Sequence, residues 1–260
     1  MTERCNGLPL KQESAVPLDP RNRNYLLASL SQADFDSLRP NLRAFEMKSG
    51  VVLVEAGAPL SRVYFPHAGI VSLVVRLAKG EAVEAAMVGR DGVFGAGAAL
   101  EGEISANTAI VQLEGRASTL ETPQLRYAAE QSATLRSALM RYEQFLYVQA
   151  LQSAACNASH TVLARLSRWL LRARDLSGSN TLPFSQESLA QMLGRHRNSV
   201  SIVANSLQQQ GIIFYSRGQI EIVDLEGLMK CSCECYLSIR TRGDKSVGND
   251  SLPGLARSVG

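Results

Sequence analysis

Arg195, Arg197, Asn198, Ser201 and Ile202 lie within eight residues of one another and carry the groups that read the edge of a nucleic-acid duplex. A guanidinium forks onto guanine O6 and N7, a carboxamide matches adenine, and an aliphatic side chain meets a thymine methyl. His196 stands where Ser or Asp normally caps a helix, an omission that costs on the order of 1 kcal/mol. Asn198 or Ser199 would cap in a shifted register. Arg195 and His196 are expected on phosphates, Arg197 on guanine, Asn198 on adenine, Ser201 on base edge or backbone, and Ile202 on a thymine methyl. Ser185 and Gln186 are further phosphate candidates.

These residues need a rigid support. In QESLAQMLGRHRNSVSIVANSL, residues Gln186 to Leu207, apolar positions recur at helical spacing: Leu189, Ala190 and Leu193, then Val200, Val203 and Leu207. Gly194 separates two helices there and tolerates a turn with positive φ. Ser185 caps the first helix, and Glu187 suits its positive end. Two amphipathic helices meeting at a glycine also occur in ordinary bundles. The residues after Gly211 favour DNA: Phe214–Ser216 and Ile220–Val223 read as strands around a turn at Arg217-Gly218-Gln219. The whole is a winged helix with Arg217 at the wing tip, placed for a phosphate.

The chain has 260 residues, a formal charge of +3 and 20% charged residues. This is enough for two domains, and too little positive charge to argue for nucleic acid by itself. The N-terminus has no apolar run behind its charges, and Ile70–Leu77 is far short of the ~20 residues of a membrane span. A soluble cytoplasmic protein without membrane contact is expected. No nucleophile–base pair, H-E-x-x-H or phosphate loop is present, and His67, His160 and His196 are dispersed, so an enzyme is not expected. Five cysteines, three of them at Cys231, Cys233 and Cys235, do not make a disulfide framework. If one helix carries that run, Cys231 and Cys235 share a face and Cys233 points elsewhere. Three thiols do not close a zinc site, and C-x-C-x-C is not the usual spacing, so neither metal nor cofactor is expected.

Residues 1–22 read as a mobile arm and 23–130 as a sensor-like domain. In the latter a helix Tyr25–Leu38 precedes short strands at Leu42–Met47, Val51–Val54, Val63–Phe65, Ile70–Leu77, Ala82–Val88, Ala109–Leu113 and Arg116–Leu120. Glycine turns separate them, among them Ala68-Gly69, Lys79-Gly80, Gly89–Gly92 and Glu114-Gly115, a pattern of an antiparallel barrel or roll. His67 falls in a solvent-facing turn. A helix of roughly 36 Å runs from Ala133 to Cys156, within a segment 131–157. Leu135, Leu139, Tyr142, Leu146, Gln149 and Ser153 recur on it. Core packing could explain such a stripe, but the helix is too long for one small barrel to hide, so the stripe is assigned to pairing with the same helix of a second subunit. A hinge or cap at Asn157–Ser159 leads into the DNA-reading unit 158–236, and 237–260 reads as a disordered tail.

A β-roll, a long helix and a winged helix in this order resemble the Crp/Fnr superfamily of bacterial transcription regulators. The resemblance covers Leu42 to Tyr236 and is strongest in FSQESLAQMLGRHRNSVSIVANSLQQQGII and YSRGQIEIVDLEGL, with VYFPHAGIVSLVV a weaker match. It implies an α+β fold: an N-terminal antiparallel β-roll like a cyclic-nucleotide-binding domain, a dimerisation helix and a C-terminal winged helix-turn-helix. It also implies a homodimer at palindromic promoter sites, with recognition helices about 34 Å apart, and contact with RNA polymerase. Two departures narrow it. Where relatives hold a cyclic phosphate with Gly-Glu and a following Arg-Ser/Thr, Phe94–Asn107 has Ala96 at the carboxylate position, and no arginine lies between Arg90 and Arg116. A buried phosphate would lack its cation, so no response to cyclic AMP or cyclic GMP is expected. Only Cys5 precedes Cys156, too few thiols for the family's iron–sulfur cluster. A small-molecule or redox-sensing module whose ligand gates DNA binding is the alternative; the ligand is unknown.

Overall fold

The computed structural model describes residues 19–78, 81–100 and 104–247. The Lys79-Gly80 turn, residues 101–103 of the phosphate-cassette region, most of the expected arm and the end of the expected tail lie outside the described residues. The chain opens with two short helices, α1 (Tyr25–Ser29) and α2 (Gln32–Leu38). One helix over Tyr25–Leu38 was expected. Leu30 is extended instead, and the Ser31 side chain restarts the helix by accepting from the Asp34 N–H.

The roll is one sheet of β1 (Arg43–Met47), β2 (Val52–Val54), β3 (Arg62–Arg76), β4 (Ala82–Val88) and β5 (Thr108–Glu121), in the order β1-β5-β3-β4, with β2 also on β5. The glycines at Gly69 and Gly115 do not end strands. They face each other where the β3–β5 register shifts between Pro66 and Val71, so the four short strands expected there are two long, bent ones. Gly69 has φ +87°, and a Cβ on either glycine would run into the opposite backbone. Only glycine permits that bulge. His67 accordingly lies inside β3 rather than in a turn; Ser118 Oγ is 3.0 Å from its Nε2, and burial lowers its pKa to about 4, which leaves it neutral.

After α3 (Ala96–Ala99) and β5, α4 (Thr122–Gln131) leads into α5 (Ala133–Ser159), whose 27 residues run straight through the expected hinge at Asn157–Ser159. The stripe assigned to a second subunit faces inward. Leu135, Leu139, Tyr142, Leu146, Gln149 and Ser153 are all buried within this single chain, the first four in the core of the roll. Gln149 Oε1 accepts from the Met87 N–H at 3.4 Å, and the Tyr142 ring covers Gly92 so closely that a Cβ there would overlap it. Buried residues cannot meet a partner, so these six are core. The opposite face of α5 carries Ser137, Met140, Gln144, Tyr147, Leu151, Ala154 and Ala158, all exposed and spaced by threes and fours; Met140, Tyr147 and Leu151 retain 55%, 65% and 52% of their accessible surface. Steps of three and four residues repeat as in a heptad pattern.

The C-terminal unit contains α6 (Val162–Ser177), β6 (Thr181–Leu182), α7 (Gln186–Leu193), α8 (Arg197–Gln209), β7 (Ile213–Ser216), β8 (Gln219–Ile222) and α9 (Leu225–Cys231). It does not hang free. Ile70, Val74 and Met87 of the roll share one core with Trp169, Leu170, Phe184 and Leu193. Asp91, in the expected turn at Gly89–Gly92, is buried against Arg172 of α6 in an ion pair. Glu84 of β4 accepts hydrogen bonds from Ser72 and, at 2.8 Å, from Trp169 Nε1. The tail is not wholly disordered: Cys235–Ser246 forms α10, which returns across α5, with Ile239 and Val247 entering the roll's core and Gly243 against Phe145.

Candidate nucleic-acid interface

The reading unit is built as the spacing predicts. Ser185 Oγ accepts from the Ser188 N–H at 3.0 Å and starts α7. Gly194, at φ +57°, ends it and turns the chain into α8. Leu189, Ala190, Met192 and Leu193 meet Val200, Ala204 and Leu207 in one buried seam; Val203 is only half-buried, and Ala204 takes the inner place beside it. Burying Leu189, Met192, Leu193, Val200 and Leu207 at roughly 1.5–3 kcal/mol each far exceeds the cost of any one cap.

His196 is the N-cap residue of α8 and gives no side-chain cap, while helical geometry begins at Arg197. The register is therefore not shifted to Asn198 or Ser199. Arg195, His196 and Arg197, at the N-terminal end of α8, are all exposed. An anion suits such a helix end. Arg197 has only a loose approach to Glu187, 3.9 Å between two exposed side chains, which leaves its guanidinium free to turn to another acceptor. Asn198 is exposed, and Ile202 retains 70% of its accessible surface, a costly display for an isoleucine without a partner.

Ser201 and Gln186 are placed differently from expectation. Ser201 Oγ donates to Gln186 Oε1 at 2.5 Å, so the two tie α7 to α8 and are not independently free for DNA. Ser199 is half-buried, with its backbone N–H on the His196 carbonyl at 3.0 Å. Asn205, exposed one turn beyond Ser201 and Ile202, extends the outward face; the three- and four-residue steps from Asn198 through Ile202 would have found it.

The wing is a three-stranded sheet in the order β6-β8-β7. Arg217 (φ +49°) and Gly218 (φ +79°) form its two-residue turn, both left-handed, as the tightest hairpin demands. Arg217 thus projects beyond the strands and is exposed.

Gly194 abuts Val83 of β4, and a cleft of about 1050 Å³ lies between the roll and the reading unit. Its walls include Arg76, Glu81, Arg195, His196 and Arg197. The N-terminal end of α8 therefore opens onto a charged cleft shared with the sensor-like domain.

A second cavity, of about 420 Å³, lies between the roll and α5, where the resemblance would place a cyclic nucleotide. Its described lining holds no lysine or arginine. Glu143 of α5 reaches into it and accepts from the Gly97 N–H at 2.8 Å, at the start of α3. Burial raises the pKa of that carboxyl above its ordinary value.

Comparison with known proteins agrees with this architecture. The family model of the Crp-like helix-turn-helix domain matches residues 164–231, and that of the cyclic nucleotide-binding domain matches residues 44–132. FixK2 from Bradyrhizobium japonicum shares the fold at a TM-score of 0.64 and 19% identity, over 74% of this chain and 98% of that one. A protein described as a crp/fnr-family transcriptional regulator from Eubacterium rectale gives 0.63 and 16%, over 81% and 98%. TTHA1359, a Crp/Fnr-family transcriptional regulator from Thermus thermophilus, gives 0.55 and 24%, over 73% and 97%. No curated protein matches the sequence. These neighbours are transcriptional regulators rather than enzymes. Among the described residues no helix is long and apolar enough to cross a membrane. With both domain models matched in this order on this fold, the chain carries a cyclic nucleotide-binding domain followed by a Crp-like helix-turn-helix domain, in the architecture of Crp/Fnr-family regulators.

Proposed function

We propose that the protein acts in the cytoplasm as a homodimer on palindromic promoter sites, with α8 in the major groove. The observation that carries this reading is the outward face of α8: Arg197, Asn198 and Ile202 stand in solvent on a helix whose other side is anchored by a buried seam. Arg197 and Asn198 read bases, Arg195, His196 and Arg217 hold phosphates, and Ser185 contributes at the start of α7. Contact with RNA polymerase follows from the family resemblance. Arg197→Ala should weaken binding by about 1–3 kcal/mol and relax preference at one base pair, whereas Arg195→Ala should weaken all sequences alike and flatten the salt dependence. Selection of sites from random DNA checks this; an Arg197 variant with undiminished preference would remove the base-reading assignment.

The dimer contact is assigned to the exposed seam of Met140, Tyr147 and Leu151. Each substitution in a two-fold interface acts twice. Leu151→Glu should therefore weaken dimerisation at least about 100-fold, from two lost burials of roughly 1.5–3 kcal/mol each. Sedimentation reads the change; a variant that sediments as the parent does would place the interface elsewhere.

The protein does not answer to cyclic AMP or cyclic GMP in this reading. Glu143 takes up the Gly97 amide that a phosphate would use, and a carboxylate beside a phosphate repels it. Micromolar affinity for either nucleotide by calorimetry would overturn this. The described walls of the cavity suit a smaller, less charged effector, which keeps ligand-gated DNA binding as the second reading.

A further inference from the structure

Cys156 and His160 stand one turn apart at the end of α5. Cys233 lies in the break between α9 and α10, and Cys235 begins α10. The helix begun at Leu225 stops at Cys231, and Ser232 is extended. The helix therefore does not continue through the cysteine run, which was the condition for Cys231 and Cys235 to share a face. The break turns Cys233 and Cys235 toward α5 and leaves Cys231 outside. Cys156 Sγ is 3.6 Å from Cys233 Sγ, and Cys235 Sγ is 3.6 Å from His160 Nδ1. All four ligand atoms lie within 4.8 Å of one another.

We infer that Cys156, His160, Cys233 and Cys235 form a closed, four-ligand site for a single zinc ion. With zinc–sulfur bonds of about 2.3 Å and zinc–nitrogen bonds of about 2.0–2.1 Å, a tetrahedron sets its sulfurs about 3.8 Å apart and sulfur from nitrogen about 3.6 Å. The Cys156–Cys233 and Cys235–His160 separations, both 3.6 Å, are of that size, and the remaining ones stay within 4.8 Å. A cluster of several irons would need its ligands farther apart, because they would sit on different metal atoms. Three thiolates and an imidazole leave no open position, which makes the site structural rather than hydrolytic.

The surroundings fit the same ion. The other ring nitrogen of His160, Nε2, lies 3.3 Å from Glu234 Oε1, the carboxylate that fixes tautomer and ring orientation in metal-bound histidines. Gln152 Nε2 donates to Cys235 Sγ at 3.0 Å. Arg165 is 2% exposed, has no ion-pair partner among the described residues, and lies within electrostatic reach of Cys156 and Cys233. A buried guanidinium without a counter-charge is costly. Three thiolates and one imidazole around a dication carry a net single negative charge, which supplies it. Arg165 also donates to the Leu193 carbonyl, just before the Gly194 turn, so the ion would brace the end of α5 against the unit that reads DNA.

The test uses the full chain purified under reducing conditions without chelator. Elemental analysis should find about one zinc per chain. Cobalt(II) exchanged into it should give the visible absorption of a tetrahedral thiolate site. Cys233→Ser should reduce zinc affinity at least about 10-fold, while Cys231→Ser, outside the cluster, should keep full occupancy. Alkylation with peptide mapping covers a variant that fails to fold: zinc should protect Cys156, Cys233 and Cys235 of the unaltered chain, and a chelator should release all three. A reduced chain that takes up neither zinc nor cobalt overturns the site. So does equal metal loss in the Cys231 and Cys233 variants, or zinc that leaves Cys156 as reactive as before.

Discussion

Asp91→Ala should destabilise the folded protein by about 3–5 kcal/mol, the cost of leaving one member of a buried ion pair alone. Asp91 lies between β4 and α3 of the roll, and its partner Arg172 lies on α6 of the DNA-binding unit; both side chains are almost wholly covered, at 12% and 10% exposed. Truncating the carboxylate strands the guanidinium and also removes the acceptor that Gly89 N–H uses at 3.1 Å. Phe145 of α5 faces the Arg172 guanidinium at 5.9 Å from the ring centroid, a contact that also holds it in place. In thermal unfolding this amounts to a drop of roughly 10 °C. The double replacement Asp91→Ala with Arg172→Met should recover most of the loss, since an apolar side chain needs no counter-charge. A single Asp91→Ala variant within about 1 kcal/mol of the parent would show that the pair is not a structural tie between the two domains.

Glu84 should make the same junction sensitive to pH. Its carboxyl is buried between β4 and α6, and burial pushes its pKa up to about 7 despite the hydrogen bonds from Ser72 and Trp169. In the unfolded chain the group titrates near 4.5. Between those values the folded protein keeps a proton that the unfolded chain gives up. The stabilising contribution is therefore complete below about pH 4.5, falls as pH rises, and is spent above about 7. The total is on the order of 3 kcal/mol. Glu84→Gln keeps the shape and cannot ionise, so its stability should be flatter across the same window and exceed the parent's at pH 8. Trp169 is the single tryptophan of the chain and bonds Glu84 directly, so its fluorescence reports on the contact. Parallel pH profiles for parent and variant would assign the dependence to another group.

Legibility in the sequence tracked how local each constraint was. The reading unit was legible because its information is local: a cap at Ser185, a left-handed glycine at 194, apolar steps of three and four, and a two-residue turn at Arg217-Gly218. The roll was legible as a class but not in its strand ends. Gly69 and Gly115 carry the mark of turns, yet they face each other across a bulge, a relation between residues 46 apart in sequence that no local pattern shows. Helix α5 misled for a different reason. It is apolar on two sides, and the buried stripe and the exposed seam both recur at helical spacing, so periodicity alone could not say which of them the chain covers itself. Gln186 and Ser201 looked free because their partners are each other, on different helices. The thiol–imidazole group was hidden by distance, since Cys156 and Cys233 are 77 residues apart. The i, i+4 pair of Cys156 and His160, read together with C-x-C at 233–235, was its only local trace.

Helix α5 also has a mechanical meaning. Its 27 unbroken residues make a rod of about 40 Å. About a third of the way along it Tyr142 is pressed onto Gly92 with no space for even a methyl group between them, which would make that contact a fulcrum. From there to Ser159 the rod extends about 26 Å. A tilt of about 5° at the fulcrum carries its far end through roughly 2 Å, enough to make or break the fit of a hydrogen-bonding side chain to a base edge. The small cavity beside Glu143 touches this rod one residue from the fulcrum. An effector there would need to displace very little to move the DNA-reading end a distance that matters.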